Sequence, residues 1–127
     1  MRRLLITAAL ILATGPAFAV NPTVTEVTCA AAVTEGQDVR DLKPSFLPVL
    51  PYKQEPAEHQ FKQLAMFGDV PVRLYVYRVN ENILRVRIYE QGASSQELLA
   101  DTELAGETTQ LSYRPIGGDK MVTAYCY

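Results

Sequence analysis

Six side chains, Arg73, Tyr75, Tyr77, Arg85, Arg87 and Tyr89, are the ones in this sequence best suited to recognition. Tyrosine and arginine each offer a broad contact surface ending in a polar group, which is why both recur at interface hot spots. The spacing of two puts Arg73, Tyr75 and Tyr77 on one side of a strand in "VPVRLYVYRV" and Arg85, Arg87 and Tyr89 on one side of a strand in "ILRVRIYE". Asn80-Glu81-Asn82 between them reads as a three-residue hairpin loop, with Asn82 in the left-handed position. That register sets Val79 opposite Ile83, Val76 opposite Val86 and Leu74 opposite Ile88, an apolar face. On the other face Tyr77 meets Arg85, Tyr75 meets Arg87 and Arg73 meets Tyr89. A slip of one residue would scramble both faces, so the pattern selects the register. The Tyr/Arg lattice is then a protein-binding face, a solvated face held by cation–π and ion pairs, or a second layer covered by the proline-rich segment.

Groups for catalysis are sparse. His59 is the one histidine, and none of Ser45, Ser94, Ser95 or Ser112 sits in a nucleophile-elbow context. Glu97, Asp101 and Glu103 share a strand face and could run acid–base work, but arginines of the neighbouring strand are their natural partners. His59, Met66 and Met121 are too far apart in sequence to form a soft-metal motif, and methionine more often fills a core. Gly117-Gly118 lies between strands rather than before a helix, so no phosphate loop is implied. No cofactor is expected, and a non-enzyme is the favoured reading.

The ends of the chain set its context. "MRRLLITAALILATGPAFAV" combines two arginines, an apolar run, Gly15-Pro16 and an Ala17-Phe18-Ala19 processing site. This is the layout of a cleaved secretory signal peptide over residues 1–19, leaving residues 20–127 as a single domain. No later stretch approaches the ~20 apolar residues of a membrane span. The net charge is −2 before Arg2 and Arg3 are lost, and no basic run remains, which argues against nucleic acid as a partner. Export places the chain where disulfides persist. The sequence has two cysteines, so Cys29 and Cys126 have only each other. Closing so long a loop is worth about 4–5 kcal/mol on the chain-entropy model.

The elements that must position these groups follow from alternation and turn signals. "TVTEVTCAAAV" places Val27, Cys29, Ala31 and Val33 on one side of a first strand. Residues 35–56, with Pro44, Pro48, Pro51 and Pro56, read as a long proline-rich loop, because each proline removes a ladder donor. "PAEHQFKQLAMFGD" is rich in helix formers and suggests a short helix over about 57–67, although Phe67-Gly68-Asp69-Val70 also reads as a hairpin turn. Later strands are separated by turns at Gly92–Ser95, Ala105-Gly106 and Pro115–Gly118. In the last strand Val122, Ala124 and Cys126 point inward, with Tyr125 and Tyr127 outward.

The expected fold is thus a small, mainly antiparallel β domain, a sandwich or a curled meander sheet, with its first and last strands joined by the disulfide. The expected function is that of an exported, non-catalytic binding protein: an accessory factor, inhibitor or chaperone, periplasmic or secreted, acting on a protein of the cell envelope through the Tyr/Arg face or the proline-rich loop. The competing expectation is a small hydrolase or metal-handling protein using His59 and strand-face carboxylates.

Overall fold

The computed structural model describes residues 24–104 and 108–127. The signal peptide expected over 1–19 and the turn expected at Ala105-Gly106 lie outside the described residues. Eight strands follow in order: β1 (Glu26–Glu35), β2 (Asp38–Leu50), β3 (Lys62–Phe67), β4 (Val70–Asn80), β5 (Ile83–Gln91), β6 (Gln96–Leu104), β7 (Thr109–Tyr113) and β8 (Lys120–Cys126). They form one sheet in the order β6-β5-β4-β2-β1-β8-β7, with β3 added beside β4. The sheet curls until its outer strands approach each other, where Thr109 Oγ1 donates to the Glu103 carbonyl at 3.3 Å. Among the described residues no helix is long and apolar enough to cross a membrane.

Alternation along each strand delivers one face to the inside of the curl. Val27, Cys29, Ala31 and Val33 of β1 meet Val72, Leu74 and Val76 of β4, Leu84, Val86 and Ile88 of β5, and Val122, Ala124 and Cys126 of β8 in a single core. The β4–β5 register is the expected one from Arg73↔Tyr89 through Tyr77↔Arg85. Its tip differs. A bulge after Arg78 pairs Asn80 with Ile83, so the loop is the two residues Glu81-Asn82 and Val79 does not face Ile83. Asn80 Oδ1 accepts the Asn82 amide at 2.9 Å, and the left-handed non-glycine residues of the described chain are Lys53 and His59, not Asn82.

Two further expectations are corrected. The proline-rich stretch is not one loop: most of it is the 13-residue strand β2, joined to β1 through Gly36-Gln37 with Gly36 at φ 61°. β2 tolerates its prolines because of where their nitrogens point. The Val49 amide donates to the Thr25 carbonyl at 2.9 Å, so residue 49 and its alternates face the β1 side. Pro48 therefore faces away from β1, and Pro44 sits at the bulge between the Cys29↔Ser45 and Ala31↔Leu42 pairs. The helix expected over 57–67 is absent. Ala57–Gln60 closes as a single turn, Gln60 N to Ala57 O at 2.9 Å, and left-handed His59 stops it from continuing. Lys62–Phe67 then pairs with β4 through the two-residue Gly68-Asp69 turn, where Gly68 (φ 69°) holds the position a side chain would strain. Burial of Leu64 and Ala65 in the core outweighs the helix preference of the segment.

Cys29 and Cys126 form the expected disulfide. Thr28 and Tyr127 exchange both backbone hydrogen bonds, at 3.1 and 2.8 Å. The adjacent Cys29↔Cys126 pair is thereby a non-hydrogen-bonded pair, the close kind in an antiparallel ladder, and its Cα atoms are 4.1 Å apart.

Candidate functional site

β4 and β5 bring the six Tyr/Arg residues together on the outside of the curl, but the tyrosines do not face solvent. Tyr75 and Tyr77 are 4% exposed and Tyr89 1%. With Leu50 they make a second apolar cluster, flanked by Phe61 and Val79. The cover is the strap of residues 51–61. Tyr52 stacks on Tyr77 with ring centroids 6.1 Å apart, and the Arg73 guanidinium lies 4.1 Å above the Phe61 ring. Within the layer Tyr75 meets Tyr89 edge-on at 5.4 Å.

At the edge of this layer Asp101 of β6 acts as a hub. Its carboxylate accepts from Arg85 Nε, from Arg87 Nε at 2.8 Å and from the Tyr77 hydroxyl at 2.8 Å. Arg87 also donates to the hydroxyls of Tyr75 and Tyr77 at 3.3 and 3.0 Å, with its guanidinium 4.8 Å over the Tyr77 ring. Burial alone would raise the Asp101 carboxyl, but hydrogen bonds from Arg87, Tyr77 and Arg85 hold it below the usual carboxylate range. Burial, then Asp101, pushes the Tyr77 phenol up, and burial does the same to Tyr89 against the nearby Arg73 charge. At neutral pH the site thus holds an ionised carboxylate and protonated phenols. Such groups fix geometry rather than exchange protons.

Sequence spacing identified the six residues and the carboxylate partners as a class. It did not single out Asp101, because a bulge at Leu99 resets the β5–β6 register between Ile88↔Ala100 and Tyr89↔Leu98. His59 stands exposed on the strap and is not among the hydrogen-bond partners of Asp101. Met66, expected in a core, is 41% exposed.

A different feature opens on the other side of β4. The last two residues of β2 pair in parallel with β4, Val49↔Val76 and Leu50↔Tyr77, while β3 pairs with the preceding stretch of the same β4 edge. β3 is therefore wedged between β4 and the rest of β2, and the facing edges of β2 and β3 have no strand partner among the described residues. Between them lies a cleft of about 370 Å³ lined by Val33, Glu35, Val39, Ala65, Met66 and Lys120, among others. Val33 and Ala65 belong to the core and form its floor; Val39, 64% exposed, and Met66 form its apolar rim. Two ammonium groups hold these edges, Lys120 from within the cleft's lining and Lys62 beyond it, where β3 begins. Lys62 Nζ donates to the Lys43 carbonyl at 2.6 Å and to Ser45 Oγ at 2.7 Å, and Lys120 Nζ donates to the Met66 carbonyl at 2.8 Å. Burial lowers the Lys62 ammonium pKa.

The chain matches no protein-family model, and no curated protein or solved structure is significantly similar to it.

Proposed function

We propose that this chain is an exported, non-catalytic binding protein, periplasmic or secreted, that engages a protein partner of the cell envelope through its proline-rich segment. The observation that carries this reading is the unpartnered outer edge of β2, with exposed Val39 above a core-floored cleft. Unpaired strand edges are surfaces to which other polypeptides add. The disulfide suits an oxidising compartment. The Tyr/Arg face contributes differently from the expectation: its tyrosines support the strap, and the half-buried Arg73, Arg85 and Arg87, with exposed Tyr52, are what remains accessible.

A photoreactive amino acid in place of Val39, and separately of Leu98, tests the reading in cells that export the chain. Leu98 is also an exposed apolar residue, but on β6. A discrete adduct from position 39, absent from position 98 and mapped to one segment of one partner, is the expected result. No adduct at position 39, or the same adducts at both positions, would overturn it.

A further inference from the structure

We propose that the cleft between β2 and β3 is an insertion site for a single extended peptide segment of about five residues, hydrogen-bonded on both sides and carrying a carboxylate at the Lys62 end. The proposal rests on the binding reading above and specifies the occupant.

Backbone direction supports the first part. Thr28 exchanges its bonds with Tyr127 on the β8 side, so Cys29, Ala31, Val33 and Glu35 turn their amides and carbonyls toward β2. Their partners Leu42, Arg40 and Asp38 are then satisfied by β1, while Val39, in the cleft's lining, and Asp41 next along the strand direct theirs away from β1. On β3 the pair closing the two-residue turn is Phe67↔Val70, so Met66, opposite Pro71, directs its amide and carbonyl outward. Pro71 has no donor to lose by this arrangement.

The lysine contacts show where acceptors are open. Lys43 O and Met66 O, one on each edge, take lysine ammonium groups as donors, the place an incoming peptide N–H would occupy. Pro44 and Pro48 leave Phe46 as the single outward donor farther along β2, an isolated amide that cannot continue a ladder, which confines pairing to about Val39–Lys43 and sets the short length.

The two walls also choose the occupant. β2 runs parallel to β4 and β3 antiparallel to it, so a guest lies antiparallel to one wall and parallel to the other. A folded sheet edge, such as β2 of a second copy, offers one free side and carries its neighbouring strand on the other. A lone extended segment offers two. Alternate guest residues would face the floor of Val33 and Ala65, which asks for apolar side chains there. Charge separates the ends. Lys43 and Lys62 make no ion pair among the described residues and outnumber the one carboxylate near them, Asp41, whereas the other end balances Glu35 and Asp38 against Arg40 and Lys120.

Two synthetic peptides test this with the disulfide-bonded protein: acetyl-Glu-Val-Thr-Val-Thr-amide and its reverse, acetyl-Thr-Val-Thr-Val-Glu-amide, which place the carboxylate at either end. One is expected to bind, slowing amide exchange at Val39 and Asp41 on β2 and at Met66 on β3 together. N-methylation of its alternate amides should abolish binding, and replacing its Glu by Lys should weaken it about tenfold. The Val39→Pro variant removes one outward donor without touching the β1 ladder, and should weaken binding while leaving the melting temperature nearly unchanged. Protection confined to β2 would overturn insertion in favour of one-sided edge addition. Protection of the same amides without peptide, in a dimer, would overturn it in favour of a second copy. Failure of both peptides to bind, with the position-39 adduct still formed, would overturn insertion and leave the function reading standing; loss of the adduct itself would remove that reading.

Discussion

Tyr77 and Tyr89 are both buried tyrosines of the same layer, but their hydroxyls meet opposite fates. Tyr77 OH donates to Asp101 and accepts from Arg87, whereas Tyr89 OH and Arg73 Nε are buried without a hydrogen-bond partner. An unsatisfied buried group costs its full desolvation. Tyr89→Phe should therefore leave stability unchanged or raise it by about 1 kcal/mol, while Tyr77→Phe should cost roughly 1.5–3 kcal/mol, the range for hydrogen bonds to charged groups. Urea midpoints of the two variants check the contrast; equal losses would show that the layer does not distinguish the two hydroxyls. Asp101 gives the pH counterpart. Its folded carboxyl titrates below the ordinary value of 3.8, so its stabilisation is complete above that pH and is lost as the pH falls through the folded value. Asp101→Ala should cost roughly 1–3 kcal/mol at pH 7, discounted because Arg85 and Arg87 remain about a third exposed. The gap between wild type and variant should narrow as the pH drops below 3.8. A gap that stayed constant into acid would mean that the loss came from packing and not from the carboxylate.

The strands differ in how far their sequences reveal them, and the reason is how many faces each buries. β4 and β5 bury one face in the core and lay tyrosines on the other, so alternation fixed their pairing from Arg73 to Arg85 without a structure. β2 is exposed over most of its length, and its Asp38, Arg40, Asp41 and two prolines carry no apolar rhythm. β3 hides for the opposite reason: a bulge at Leu64 buries Leu64 and Ala65 side by side, a spacing that also fits a helix. The six candidate residues were legible as a group, but their burial was not, since the strap that covers them contributes only Tyr52 and Phe61 from an otherwise polar run. The cleft between β2 and β3 was illegible for the same reason as β2. The prolines that masked the strand also guard its edge. Pro48→Thr restores an outward donor next to exposed Phe46. The change should alter the melting temperature little, because the β1 ladder does not use residue 48. It should also increase concentration-dependent self-association, read by light scattering. A variant that stayed monomeric would show that the edge is shielded by something other than missing donors.

At the scale of the molecule, the curl has strong and weak joins. β1 runs the length of both its neighbours and is laddered to β2 and to β8, but the join from β2 to β4 is two residues long, and β6 meets β7 without a ladder. The half built from β7, β8, β1 and β2 is thus held to the β4–β6 meander chiefly by the shared core and that short parallel contact. The Cys29–Cys126 bridge sits inside this half, tying residues 97 positions apart and fixing β8 to β1, the strand on which β2 is laddered. Removing it should free β8 more than the meander. The double replacement Cys29→Ala with Cys126→Ala is expected to cost about 2–5 kcal/mol, a large share of the 5–15 kcal/mol typical of a domain. Reductant should lower the wild-type urea midpoint toward that of the variant and leave the variant itself unmoved. Hydrogen exchange should locate the loss: amides of the β1–β8 ladder, those of Ala30, Ala32 and Thr34, should accelerate well before those of Leu74 and Val86 in the meander. A wild-type midpoint indifferent to reduction would show that packing of Val122 and Ala124 against β1 suffices to close the curl. Uniform acceleration across both halves would show instead that the two joins are strong enough for the sheet to unfold as one cooperative unit.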